Sequence, residues 1–100
     1  MSAWHMIMPQ DGLKAFCQKD QVRELAVFGS VLRDDFGPRS DVDILVEFEP
    51  QARVGFIRLS QMRRELSALL NWPVDLVPKA GLKPQIRHVV LSTAQIIYAT

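Results

Sequence analysis

Asp41 and Asp43 are the residues in this sequence with the most chemistry to offer, and a spacer of ten residues, Val31 to Ser40, separates them from the pair Gly29-Ser30. From Asp41 to Phe48 the residues alternate for most of the run. Val42, Ile44, Val46 and Phe48 fall on one face of a strand, and Asp41, Asp43, Leu45 and Glu47 on the other. Two carboxylates about 7 Å apart along one face repel each other, and a divalent cation removes that conflict. Hard oxygen ligands with no nearby His or Cys favour Mg²⁺ or Mn²⁺ over zinc, and Mg²⁺ is commonly held by one or two carboxylates plus substrate phosphates. The metal is therefore expected to arrive with a nucleotide.

The Gly-Ser pair suits the phosphate end of such a site. Leu25 to Phe28 reads as a short buried strand, ended by Gly29-Ser30 where Val31 to Asp35 can form a helical turn with free backbone N–H groups at its start. Glycine permits close backbone approach to a phosphate, and Ser30 can cap the turn or bond a phosphate oxygen. Arg33, one turn on, can reach a phosphate or the Asp pair, or form a structural salt bridge to Asp35 or Asp41. Asp75 lies between Val74 and Leu76. If those two aliphatics face the core, it faces the same cleft as Asp41 and Asp43 and becomes a third carboxylate; a buried structural Asp is the alternative.

Gly29-Ser30, the spacer and Asp41-Val42-Asp43 together resemble the signature of the DNA polymerase beta type nucleotidyltransferase superfamily. Arg33 in the spacer, Ser40 before the Asp pair and the following Ile44-Leu45-Val46-Glu47-Phe48 make the chain most similar to the minimal nucleotidyltransferases (MNT), the antitoxin partners of HEPN toxins. The likeness runs from about Leu25 to Tyr98, including Val74-Asp75-Leu76-Val77, Leu82-Lys83-Pro84 and Ile86-Arg87. It implies an α/β (α+β) minimal nucleotidyltransferase fold, a short mixed sheet of three to four strands backed by helices. It also implies a catalytic centre in which Asp41 and Asp43 bridge two Mg²⁺ or Mn²⁺ ions and Asp75 holds the one nearest the acceptor. Gly29, Ser30, Arg33 and Ser40 would bind the nucleotide. The reaction implied is transfer of AMP from ATP to a tyrosine of a HEPN toxin, silencing its RNase activity. Relatives often have glycine after the spacer arginine; this chain has Asp34.

Length and charge narrow the alternatives. One hundred residues suit a single nucleotidyltransferase domain, 1–100, with residues 1–8 as an extension and no room for a separate acceptor-binding domain. The acceptor is then expected on another protein. A formal charge of +1 argues against strong direct nucleic-acid binding. The single cysteine, Cys17, excludes a disulfide within the chain and fits a reducing compartment. No apolar run approaches a membrane span, and a cytoplasmic protein is expected. Two rival functions stay open: an antitoxin that acts by covering its partner with an idle site, and an antibiotic-modifying enzyme whose pocket a homodimer would have to build.

The elements that must position these residues follow from periodicity. Gly12 to Gln21, with Asp11 as N-cap, is expected to be a helix burying Leu13, Phe16 and Cys17, with Lys14, Lys19 and Asp20 on its solvated face. Val54 to Leu70 is expected to be a second helix with Leu59, Met62, Leu66, Leu69 and Leu70 as its apolar stripe; its arginines, Arg58 among them, read as solvated. Phe36 to Arg39 reads as a reversal, and Val74 to Val77 as a strand. Pro84 opens a last helix with Ile86, Val89 and Val90 as its apolar side and His88 on the surface, and Ile96-Ile97-Tyr98 reads as an edge strand or a partner contact.

Overall fold

The computed structural model describes residues 8–32, 37 and 39–100. In chain order these form α1 (Gln10–Lys19), β1 (Val22–Phe28), a 3-10 turn (Gly29–Leu32), β2 (Val42–Phe48), α2 (Phe56–Leu70), β3 (Val74–Pro78), a second 3-10 turn (Lys79–Gly81), α3 (Pro84–Thr93) and β4 (Gln95–Ala99). The four strands make one mixed sheet in the order β3-β2-β1-β4. β1 runs antiparallel to β2 and β4, whereas β2 and β3 are parallel. A parallel pair cannot be joined by a tight hairpin, and α2 makes the crossover. The expected α/β class and short mixed sheet are both present.

Alternation sorts the strand residues as their sequence predicts. Leu25, Val27, Val42, Ile44, Val46, Val74 and Leu76 face a core shared with Leu13, Phe16 and Cys17 of α1 and Met62, Leu66 and Leu70 of α2. Each large aliphatic buried there contributes about 2 kcal/mol. On the opposite face Ala26, Leu45 and Leu82 form a smaller cluster, with Phe28, Val77, Val90 and Ala94 packed against it. The middle of the sheet is thus covered on both sides, and Asp43 and Asp75 belong by alternation to the less covered face.

Several expectations need correcting. Asp11 lies inside the first turn of α1, and the N-cap position is Pro9, whose carbonyl accepts the Leu13 N–H. Asp20 is not on a solvated face: it is 2 % exposed, and its Oδ1 accepts from Arg58 Nε at 3.0 Å and a terminal Arg58 nitrogen at 2.6 Å. It ends α1 at a point where the chain turns under α2, and the aliphatic stem of Arg58 brings its cation in to meet the carboxylate. Ile86 and Val89 are 48 % and 61 % exposed, because the small cluster beneath α3 engages only its Val90 end. Most of the expected extension, residues 1–7, lies outside the described residues, as do Arg33, Asp34 and Asp35 and much of the expected reversal. Met8, the last residue of that extension, is buried in the core.

Candidate active site

The site begins at the end of β1. Phe28 is the register partner of Asp43 across the antiparallel β1–β2 pair, so the next residue, Gly29, lies beside the Asp43 side chain. Gly29 has φ +73°, and a Cβ placed on it would come 2.2 Å from Asp43 Oδ2. No L side chain fits there without moving the carboxylate. Glycine is required both by the left-handed backbone and by the contact.

Ser30 starts across from the beginning of β2, its hydroxyl donating to the Asp41 carbonyl at the long distance of 3.4 Å. The 3-10 turn is anchored by Val31, which is fully buried. The phosphate seat expected at Gly29-Ser30 therefore lies against the Asp43 carboxylate.

Asp43 and Asp75 are register partners on the parallel strands β2 and β3. Partners in register project to the same face, with Cα atoms about 5 Å apart. Asp75 is exposed on the edge strand and Asp43 half-buried one strand inward. Asp41 is exposed and stands one residue ahead of β2, two before Asp43, on the same side of the alternation. All the donors are carboxylate oxygens, the chemistry that suits Mg²⁺ or Mn²⁺. Among the described residues no group of three His, Cys, Asp or Glu side chains stands close enough to hold a metal by itself. The donor chemistry is that of a hard divalent cation.

What fixes Asp75 level with Asp43 is the short link from α2 to β3. Asn71 takes a left-handed conformation (φ 53°) that closes α2, its N–H bonding the Ala68 carbonyl while the Trp72 N–H bonds that of Ser67. Ser67 Oγ accepts from the Val74 N–H at 3.1 Å, and the Val42 N–H donates to Pro73 O at 2.9 Å. The Trp72 indole Nε1 donates to Ser40 O at 2.6 Å. Trp72 is a residue that sequence reasoning missed. An indole N–H in a packed position needs an acceptor, and that requirement was the available signal.

Ser40 acts within this clasp: its carbonyl takes the indole, and its hydroxyl accepts the Gly37 N–H at 3.2 Å. The structure sets Gly29 against Asp43, Ser30 beside Asp41 and Asp43 level with Asp75, but among the described residues it does not bring the three carboxylates close enough to form a metal-holding group; Arg33 lies outside the described residues. His88 is exposed on α3.

The chain is similar to several known proteins. A protein named protein adenylyltransferase MntA, from Thermococcus cleftensis, is 42% identical over 77 residues, which cover 77% of this chain and 74% of the relative. A solved structure described as a candidate minimal nucleotidyltransferase superposes with a TM-score of 0.74 at 30% identity, covering 94% of each chain. A third similarity is in fold alone: the complex of a tri-AMPylated HEPN toxin with its MNT antitoxin from Shewanella oneidensis gives a TM-score of 0.68 at 17% identity, covering 97% of this chain and 73% of that one. Residues 11–97 match the family described as the nucleotidyltransferase domain. With a Gly-Ser turn set against paired carboxylates, and with these relatives, the chain belongs to the nucleotidyltransferase domain family and has the minimal nucleotidyltransferase fold.

Proposed function

We propose that this protein is a metal-dependent nucleotidyltransferase antitoxin that moves AMP from ATP to a hydroxyl, a tyrosine, of a HEPN RNase toxin and so neutralises it. The observation that carries this reading is the register of Asp43 with Asp75 beside a glycine packed on the Asp43 carboxylate. The adenylyltransferase name of the Thermococcus relative and the AMPylated toxin in the Shewanella complex support it. The protein would work in the cytoplasm; among the described residues no helix is long and apolar enough to cross a membrane.

Asp41, Asp43 and Asp75 would hold two Mg²⁺ or Mn²⁺ ions, which when bound neutralise charge on the triphosphate and on the departing pyrophosphate. Gly29 and Ser30 seat the β and γ phosphates, glycine by close approach and Ser30 through its N–H and hydroxyl. Ser40 directs its hydroxyl proton to a phosphate oxygen, and Arg33 is assigned to nucleotide binding on the resemblance alone. Asp75, exposed on the outermost strand, faces the acceptor and takes the proton from its hydroxyl. That oxygen bonds to the α-phosphorus while the bond to the bridging oxygen of the β-phosphate breaks, and pyrophosphate leaves with the electron pair. The chain supplies position and charge.

Intact-mass measurement of the HEPN partner after incubation with this protein, ATP and Mg²⁺ tests the reading. One or more AMP additions are expected with the native protein and none with the Asp41→Asn, Asp43→Asn double variant. An unchanged toxin mass with native protein refutes it. A second reading, neutralisation by covering, draws on the exposed apolar side chains of Ile86, Val89 and Ile96. Toxin inhibition that survives the double variant would favour that one.

A further inference from the structure

The direction in which a side chain leaves the backbone is set by φ and ψ of its own residue, the angles between the two rigid peptide planes that meet at its Cα. For Asp43 and Asp75 the ladder between β2 and β3, where they are register partners, fixes those planes. Asp41 stands outside that ladder: it lies one residue before β2, and the register with β3 begins at Val42 and Val74. Its direction has to be set by other bonds.

Two such bonds come from the Trp72-Pro73 pair between α2 and β3. The peptide plane that follows Asp41 carries the Val42 N–H, which donates to Pro73 O at 2.9 Å. On the same plane the Asp41 carbonyl accepts the Ser30 hydroxyl at the longer distance of 3.4 Å. The plane that precedes Asp41 carries the Ser40 carbonyl, which accepts the Trp72 indole Nε1–H at 2.6 Å. One pair of residues thus grips the backbone on both sides of Asp41. The donating ring is itself held in place. Trp72 is partly buried and packed against the main core, its backbone N–H bonds Ser67 O at 3.1 Å, and the next residue is a proline with a fixed φ.

We propose that Trp72 is the positioning residue for Asp41: its indole N–H holds the preceding peptide plane and so aims the one carboxylate of the three that the strand ladder leaves unguided. The proposal rests on the transfer reading above, in which Asp41 and Asp43 hold the metal ions together, and it gives the α2–β3 link a part in that reaction. Trp72 acts through Asp41. Without the indole bond φ of Asp41 is free to vary while ψ keeps its tether through Val42. A swing of about 20° in φ, the ordinary scatter of an extended residue, carries a carboxylate oxygen through roughly 1 Å. A misplacement of about 1 Å is enough for a hundredfold loss of rate. The fold has less at stake, since one neutral hydrogen bond is a small part of its stability.

The test compares the native full chain with Trp72→Phe and with a form carrying benzothiophene in place of the Trp72 indole, which keeps both fused rings and lacks the N–H. The Asp41 amide lies in the plane that the indole holds. In the metal-free proteins its backbone order parameter is expected to fall from about 0.85 to about 0.6 or lower in both altered forms, with Asp43 and Asp75 unchanged. Titration calorimetry with Mn²⁺ and α,β-methylene-ATP is expected to show about tenfold weaker binding. That loss should shrink to less than about twofold in an Asp41→Asn background and persist in full in an Asp75→Asn background. AMP transfer should fall through kcat, with the KM for the partner unchanged. Equal order parameters at Asp41, or the same loss of affinity with and without the Asp41 carboxylate, overturn the proposal. A native protein that binds the analogue with this dependence on Asp41 and the indole, yet adds no AMP to the HEPN partner, overturns the transfer reading alone.

Discussion

Replacing Gly29 by alanine should separate the cost of folding this site from the cost of misaligning it. Two penalties meet at one atom. The backbone at φ +73° is left-handed, which costs an L residue about 1–2 kcal/mol. The added Cβ would also stand 2.2 Å from Asp43 Oδ2, where carbon and oxygen ordinarily approach no closer than about 3.3 Å, so the carboxylate must retreat by roughly 1 Å. At about 4–8 °C per kcal/mol for a domain of this size, the melting temperature should fall by roughly 5–15 °C. A displacement of about 1 Å in a positioned group is enough for a hundredfold loss of rate, and AMP transfer should fall by about that factor at temperatures where the variant is still folded.

Gly81→Ala provides the comparison, because a Cβ there meets nothing within 4 Å, and both its stability and its activity should match the native protein. The clash can be isolated in a second background. In Asp43→Ala the carboxylate is gone, so Gly29→Ala should cost only the backbone part of its penalty, and the difference between the two backgrounds measures the contact. Urea denaturation of the four proteins gives the cycle, and intact-mass kinetics of the partner gives the rates. If Gly29→Ala transfers AMP within threefold of the native rate, or costs the same with and without the Asp43 carboxylate, the proposed packing of the phosphate seat on Asp43 is wrong.

Other expectations can be checked with the same assays. Asp75→Asn keeps the shape of the edge strand but removes one charge from a site where electrostatic stabilisation is worth several kcal/mol, so transfer should drop about a hundredfold or more with the urea midpoint unchanged; near-native transfer would remove Asp75 from the mechanism. Arg58→Ala leaves the buried Asp20 carboxylate without its two donors and should cost about 2 kcal/mol by urea denaturation, the other half of the pair being partly exposed; a loss below a few tenths would show that water replaces the arginine freely. Burial, reinforced by the nearby Asp20 charge, pushes the Cys17 thiol from 9.0 up to about 12. Because the folded value is raised, the stability gained from keeping the thiol neutral is complete below about pH 9 and is lost as pH rises from there toward 12. The stability difference between native protein and Cys17→Ala should therefore move against the native protein between pH 8 and about pH 11; a difference independent of pH would contradict it.

Much of the architecture was legible because periodicity is a local property. Alternation over Asp41 to Phe48 placed the carboxylates opposite Val42, Ile44 and Val46, and those three are core residues. The stripe through Met62, Leu66 and Leu70 identified the buried side of α2, and Pro84 marked the start of α3. Periodicity failed where the partner surface decides burial. Ile86 and Val89 have the spacing of a buried face, but the sheet beneath α3 offers too little apolar surface to cover them. Asp20 looks like a solvated helix residue until Arg58, 38 positions later, reaches it.

The sequence by itself determined which residues could form the site: a glycine and a serine at the end of one strand, and carboxylates alternating on two others. It could do so because side-chain direction in a strand and conformational freedom at glycine depend on the residue and its immediate neighbours. Only the tertiary structure decided that β3 lies parallel beside β2, at an edge of the sheet, with Asp75 level with Asp43. It also decided that the Trp72 indole ties the residue before Asp41 to the link that sets this register. Strand order and register come from packing between segments far apart in the chain, and no local pattern encodes the distance between two carboxylates on different strands.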